Sequence, residues 1–358
     1  MTLPLEYSYE PMEALSVAEL PQGEEWQYEP KWDGFRCLAF RDGDDIELRS
    51  KAGKSLSRYF PEIVAALGAL KAKKFVLDGE IVVPAVGEDA TAPNSGLSFD
   101  TLLQRIHPAA SRIRKLSVDT PGIYVVFDLL VNARGKLLAD LPLSQRRPEL
   151  DEFASKYFDV ASKPFMRLSP CSDDIRSARD WLEGREGLDG VVAKRLDLPY
   201  ESGDRTGMQK VKRIRSADCV VGGFRYSAKG RSSIGSLLLG LYDSEGLLNH
   251  VGYTSSLSAG EREALVPKLE KLIKPPGFTG KAPGGPSRWS TKRSSEWEPL
   301  EPKLVVEVTY DHFSQDRFRH GTTFVRWRPD KAPRQCGMDQ VEQVSASAMR
   351  MLGTDKPA

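Results

Sequence analysis

Residues 29–36 read Glu29-Pro30-Lys31-Trp32-Asp33-Gly34-Phe35-Arg36, a lysine between an alternating apolar stretch and an Asp-Gly turn, with an arginine five positions on. A lysine that attacks an electrophile must do so as the neutral amine, and neighbouring cations or a bound metal favour loss of its proton. Arg36 and lysines further along the chain are candidates to supply that field. Taken alone, Lys-x-Asp-Gly is also what a solvated lysine before an ordinary turn looks like, so the surrounding sequence has to decide.

Working outward, WQYEPKWDGFRCLAF (26–40) and IELRS (46–50) alternate apolar and polar residues around the turn cluster Arg41-Asp42-Gly43-Asp44-Asp45, which predicts a β-hairpin from Trp26 to about Ser50. RYFPEIVAALGAL (58–70) has helical spacing with a proline near its first turn, and FVLDGEIVV (75–83) reads as a buried strand. SFDTLLQRI (98–106) predicts a helix, IYVVFDLL (123–130) a buried strand, and LSQRRPELDEFASKYF (143–158) a helix charged on one face. After a helix over Ser172–Glu186, the strands LDGVVAKR (188–195) and MQKVKR (208–213) close the first half. Without regular βαβ alternation, the expectation is α+β: antiparallel sheets with flanking helices.

Beyond residue 215, ADCVVGGFRY, SLLLGLYD and LLNHVGYT predict short strands, SAGEREALVPKLEKLI a helix, and KLVVEVTY and TTFVRWR two more strands. Five or so strands with one helix fit a small β-barrel of the oligonucleotide-binding (OB-fold) kind. PPGFTGKAPGGPS (275–287) reads as an exposed flexible loop. The expected division is 1–215 and 216–358.

With 358 residues, 40% hydrophobic and 28% charged, the chain suits two ordinary globular cores. No apolar run approaches the roughly 18 residues of a membrane span, and the N-terminus lacks signal-peptide features, so a cytoplasmic location is expected. Cys37, Cys171, Cys219 and Cys336 form no CxxC pair, which argues against a zinc ribbon or a disulfide framework. The net charge of +1 conceals basic clusters at Lys210, Lys212, Arg213 and Arg215 and at Arg317, Arg319, Arg326 and Arg328. Phosphate responds to the potential of one face, so the neutral total does not exclude nucleic acid.

Seven segments in order resemble the motifs of the covalent nucleotidyltransferase superfamily, and specifically ATP-dependent DNA ligases of the short bacterial ligase C class. EPKWDGFR resembles motif I, ELRSKAG the next, LDGEIVV motif III, YVVFDLL the aromatic motif, LDGVVAKR motif IV and MQKVKR motif V, while RWRPDK (326–331) resembles motif VI. The resemblance covers roughly residues 25 to 335 and implies a nucleotidyltransferase (ATP-grasp-like) domain followed by an OB-fold domain. It implies that Lys31 becomes adenylated, that Arg49 meets the nucleotide phosphate or the DNA end, and that Glu80 holds the ribose hydroxyl and helps to organise metal. Phe127 would stack on adenine, Val191 or Val192 would cover the other face of the base, and Asp189 would bind metal. Lys210 and Lys212 would contact the α-phosphate, and Arg328 and Lys331 would orient the leaving pyrophosphate, which implies a hinge near Arg215. Glu29, beside the nucleophile, can accept from the adenine N6 amine, and Trp32 and Arg36 join the cofactor site. Two positions depart from the family: Asp189, where Glu is commoner, and Met208, where many ligases carry Trp.

The cofactors implied are ATP and Mg²⁺, with Mn²⁺ as a substitute. The implied partner is nicked duplex DNA, held through Arg49, Lys229, Arg231, Arg317 and Arg319, with DNA repair proteins as further partners; a monomer is expected. Alternatives are an RNA ligase, an mRNA guanylyltransferase, and a nick-binding protein without turnover. An NAD-dependent ligase is disfavoured, because neither a four-cysteine zinc module nor further helical domains are encoded.

Overall fold

The computed structural model describes residues 3–85, 96–158, 165–186, 188–228, 230–284, 296–341, 346–347 and 351–352. The chain forms two compact units, Met1–Arg213 with Ser345–Ala358, and Ile214–Val344. The tail groups with the first unit, where Ala346–Ser347 pairs in parallel with Arg185–Glu186; the sequence had assigned all of 216–358 to the second.

The first unit holds two sheets. One has the order Leu15–Ser16, Met208–Lys212, Leu188–Arg195, Trp26–Trp32; the other runs Asp45–Ser50, Phe35–Asp42, Lys74–Val82, Ile123–Val131, Met166–Leu168. Pairing is antiparallel except at the two edges, where Leu15–Ser16 and Met166–Leu168 run parallel to their neighbours. The predicted hairpin is half right. Phe35–Asp42 and Asp45–Ser50 pair around Gly43, but Trp26–Trp32 belongs to the other sheet and pairs with Leu188–Arg195. The chain changes sheets at Asp33-Gly34, and this crossing requires glycine: a Cβ on Gly34 would lie 2.3 Å from the Ile81 carbonyl oxygen. Lys31 therefore ends a strand of one sheet while Arg36 begins a strand of the other.

Helices cover the outer face of the five-stranded sheet. Pro61 sits in the first turn of the helix Pro61–Gly68, where its missing N–H has no helical partner to lose. Ile63 and Leu67 of that helix, with Leu150 and Phe153 of Leu143–Tyr157, pack on Phe75, Leu77, Ile81 and Tyr124. The strand Ile123–Val131 is buried at every position, covered on both faces, which explains its continuous apolar run. The four-stranded sheet packs Trp26, Tyr28, Val191 and Ala193 against Ala178 of the helix Ile175–Gly184.

In the second unit a sheet runs Leu248–Thr254, Gly230–Tyr242, Arg215–Ser227, Val305–Tyr310, Thr323–Trp327, with the helix Ala259–Glu270 started by a Ser258/Glu261 capping box. An isolated parallel bridge links Thr254, at the end of one edge strand, to Thr322, just before the other. The loop predicted at 275–287 is described only to residue 284; most of that part is exposed, with Phe278 buried against His250 and Trp297.

Candidate functional site: a lysine between two carboxylates

Alternation along Trp26–Trp32 turns Gln27, Glu29 and Lys31 to one side, and the neighbouring strand, in register Glu29↔Val192 and Gln27↔Lys194, turns Val192 and Lys194 the same way. Phe127, Glu80 and Arg36 come from the other sheet. Between them lies a cleft lined by Glu29, Lys31, Trp32, Arg36, Glu80, Phe127, Val192 and Lys210 among the residues named from sequence. Of the two valines weighed for covering the base, Val192 lines the cleft, whereas Val191 lies in the core behind it.

Lys31 Nζ donates to Asp189 Oδ2. Asp189 is buried and reaches the amine despite being one methylene shorter than glutamate; next to it, Gly190 takes a φ of 140°, and a Cβ there would lie 2.0 Å from the Val211 carbonyl oxygen. Burial pushes the Glu80 carboxyl up to about 8, against the pull of the Arg36 and Lys31 cations. Without a ligand it therefore keeps its proton at neutral pH. The Lys210 ammonium is pushed down, first by burial and then by Lys31, Lys51 and Lys212. Mutually repelling ammonium groups around Lys210 favour an anion beside them.

Arg36 is held by Asp78 through two hydrogen bonds, Nε at 2.7 Å and a terminal nitrogen at 2.6 Å, and Asp78 also accepts from the Tyr200 hydroxyl at 2.6 Å. The Arg36 guanidinium carbon lies 4.5 Å and Lys194 Nζ 4.7 Å from the centre of the Phe127 ring, so this ring is met by cations. Trp32 donates its indole N–H to Ser169 Oγ at 3.0 Å, which fixes its ring in the wall.

Other residues named from sequence lie elsewhere. Arg49 pairs with Glu47 at 3.0 Å, donates to the Gly53 carbonyl and is not part of the cleft wall; Lys51, two positions on, is. Lys212 follows Lys210 on the same strand face. Arg328 and Lys331 belong to the second unit, where both bind the Asp218 carboxylate, at 2.9 and 2.7 Å. There too, Arg231 and Arg317 are exposed and Arg319 partly so, Arg231 pairing with Glu298 at 3.1 Å; Lys229 lies outside the described residues. Sequence reasoning missed Met12, Glu13, Lys51 and Lys194 in the cleft wall, and Asp78 behind it. Lys51 stood inside the quoted ELRSKAG, and Lys194 inside LDGVVAKR, as the one cation on an otherwise buried strand face.

Among the described residues no three or more His, Cys, Asp or Glu gather as a metal cluster. Asp189 accepts from the Lys31 amine and Glu80 lies within its electrostatic reach, and two carboxylates completed by substrate phosphates are a usual set for Mg²⁺. No helix among the described residues is long and apolar enough to cross a membrane.

An amine paired with a carboxylate, with further ammonium groups and an aromatic ring in the same cleft wall, is the layout of a nucleotide-handling site. The ATP dependent DNA ligase domain family matches residues 11–212, and the ATP dependent DNA ligase C terminal region matches 230–331. DNA ligase C1 of Mycolicibacterium smegmatis is 43% identical over 350 residues, covering 96% of each chain. DNA ligase C of Mycobacterium tuberculosis is 39% identical over 358 residues, again 96% of each. The solved chain "Pmar-Lig_Pre." aligns with a TM-score of 0.55 at 18% identity over 89% of this chain and 68% of that one, a likeness of fold. The chain belongs to the ATP-dependent DNA ligase family.

Proposed function

We propose that this protein seals nicks in duplex DNA by carrying AMP on Lys31. The observation that carries the reading is the placement of the Lys31 amine, which donates to Asp189 and lies within electrostatic reach of Glu80, in a cleft lined also by Lys51, Lys194 and Lys210. Lys31 Nζ, its proton lost to solvent under the surrounding cationic field, attacks the α-phosphorus of ATP, the bond to the bridging oxygen breaks and pyrophosphate leaves. Lys210 and Lys212, with Arg328 and Lys331, stabilise charge on the phosphate oxygens. Glu80 and Asp189 would hold Mg²⁺, which supplies charge neutralisation when bound. Glu29 accepts from the N6 amine, Phe127 and Val192 bracket the adenine, and Trp32 and Arg36 complete the wall.

AMP then passes to a 5′-phosphate, and the adjacent 3′-hydroxyl displaces it. Arg49, Arg231, Arg317 and Arg319 hold the duplex through its phosphates, and the protein works as a monomer in the cytoplasm on repair intermediates. The test is sealing of a 5′-labelled nicked duplex with ATP and Mg²⁺. Ligation by the wild type and none by Lys31→Ala supports the proposal; equal ligation by both removes it.

A further inference from the structure

Lys194 is a lysine buried to 4% exposure, and none of the roles above uses its charge. Its Nζ lies 2.7 Å from Glu29 Oε2 and 4.7 Å from the centre of the Phe127 ring. Glu29 is itself only 2% exposed; its Oε1 accepts from Gln27 Nε2 at 2.9 Å, and the Arg147 guanidinium stands 4.0 Å away. One ammonium thus ties together the carboxylate expected at the edge of the base and the aromatic expected at its face. A buried ammonium far from any carboxylate would be strongly disfavoured, as would a buried carboxylate without its cation, so the two side chains fix each other's position.

The chemistry of the pair bears on which base fits. An ion-paired carboxylate accepts hydrogen bonds and donates none. Adenine presents an amine at position 6; guanine and hypoxanthine present a carbonyl there. Against a carboxylate held as an acceptor, the amine gains a hydrogen bond and the carbonyl meets an oxygen it cannot bond. A neutral carboxyl or an amide in the same place could serve either base by turning its donor inward. We propose that Lys194 is the residue that sets the base selectivity of this cleft, by holding Glu29 as an acceptor against the edge of the base and bracing Phe127 beneath it. The inference rests on the reading that Lys31 is adenylated in this cleft, and goes beyond it in assigning selectivity to a residue that takes no part in phosphoryl transfer.

The experiment measures self-labelling of the full chain with ATP and with ITP, which differs at position 6 in carrying a carbonyl. Rates over a concentration series are read for the wild type, Lys194→Met, Lys194→Arg, Glu29→Gln and the Glu29→Gln/Lys194→Met double variant. Removing the cation is expected to lower the ATP:ITP ratio of kcat/KM by about tenfold or more, the worth of one hydrogen bond to a charged group, chiefly through KM for ATP. Lys194→Arg keeps most of the selectivity. The double variant, which carries no buried unpaired charge and so folds even if Lys194→Met does not, is expected to match Glu29→Gln alone, because Lys194 acts through Glu29. A ratio within twofold of wild type in a folded Lys194→Met, or a double variant whose ratio falls well below that of Glu29→Gln, overturns the inference. If the wild type takes no label from either nucleotide, the adenylation reading fails and the inference with it; labelling by ATP with selectivity indifferent to Lys194 sinks the inference alone.

Discussion

Replacing Glu80 by Gln should stabilise the protein at alkaline pH and leave it unchanged at acid pH. Burial raises the Glu80 carboxyl from an ordinary 4.5 to about 8. Below about 4.5 it is neutral in both folded and unfolded chains and contributes no difference. As pH rises from there towards 8, the unfolded chain gives up its proton while the folded one keeps it, so stability is progressively lost; above 8 the folded protein carries a desolvated carboxylate. At about 1.4 kcal/mol per pH unit the full displacement would amount to roughly 5 kcal/mol. The side chain is partly accessible rather than sealed, which brings the expected effect nearer to about 3 kcal/mol. For a unit of this size that is a rise of about 6–12 °C in melting temperature. The assay is differential scanning calorimetry of wild type and Glu80→Gln in chelator, without nucleotide, from pH 5 to 9. Subtracting one curve from the other cancels carboxylates with the opposite sign, such as Asp128. A difference that is flat with pH, or that favours the wild type at pH 9, refutes the reasoning.

Asp128 and Arg146 are each only 3% exposed and joined by two hydrogen bonds of 3.0 Å, so Arg146→Ala strands a buried carboxylate and should lower stability by about 3–5 kcal/mol in urea unfolding. Burial works against the Asp128 charge, yet the Arg146 guanidinium holds its carboxyl below the usual range; the stability this pair gives is present above about pH 4 and lost on acidification, and the variant should lack that acid limb. Gly34→Ala drives a Cβ to 2.3 Å from the Ile81 carbonyl and should lower both melting temperature and self-adenylation, the latter at least tenfold, since the crossing it distorts separates Lys31 from Arg36. Affinity for nicked duplex, read by fluorescence anisotropy, should fall steeply between 50 and 200 mM salt, and Arg317→Ala should reduce the slope of log K against log salt by about 0.9.

Much of this architecture was written in local pattern. Period-two alternation and the long apolar run at Ile123–Val131 marked the strands, and Pro61 marked a helix start. What alternation does not encode is the partner of a strand. Trp26–Trp32 reads as continuous with Phe35–Asp42, and only the close approach of Gly34 to Ile81 tells that the chain has changed sheets. The helix Ala110–Asp119 left no stripe to find, because Ile113 alone is buried, and Met166–Leu168 is too short for a periodic signal. At the site, the ordered motifs carried Lys31, Glu80, Phe127, Val192 and Lys210 into one cleft. Lys194 and Asp78 escaped because their partners, Glu29 and Arg36, lie on other strands and meet them only through sheet register and packing.

The central claim is a covalent bond at one amine. Incubation of the purified protein with ATP and Mg²⁺, followed by intact mass and acid-free peptide mapping, should show the addition of a single AMP on the peptide containing Lys31 and none in Lys31→Ala. An unmodified chain, or AMP found on another residue while Lys31 stays free, would contradict the account.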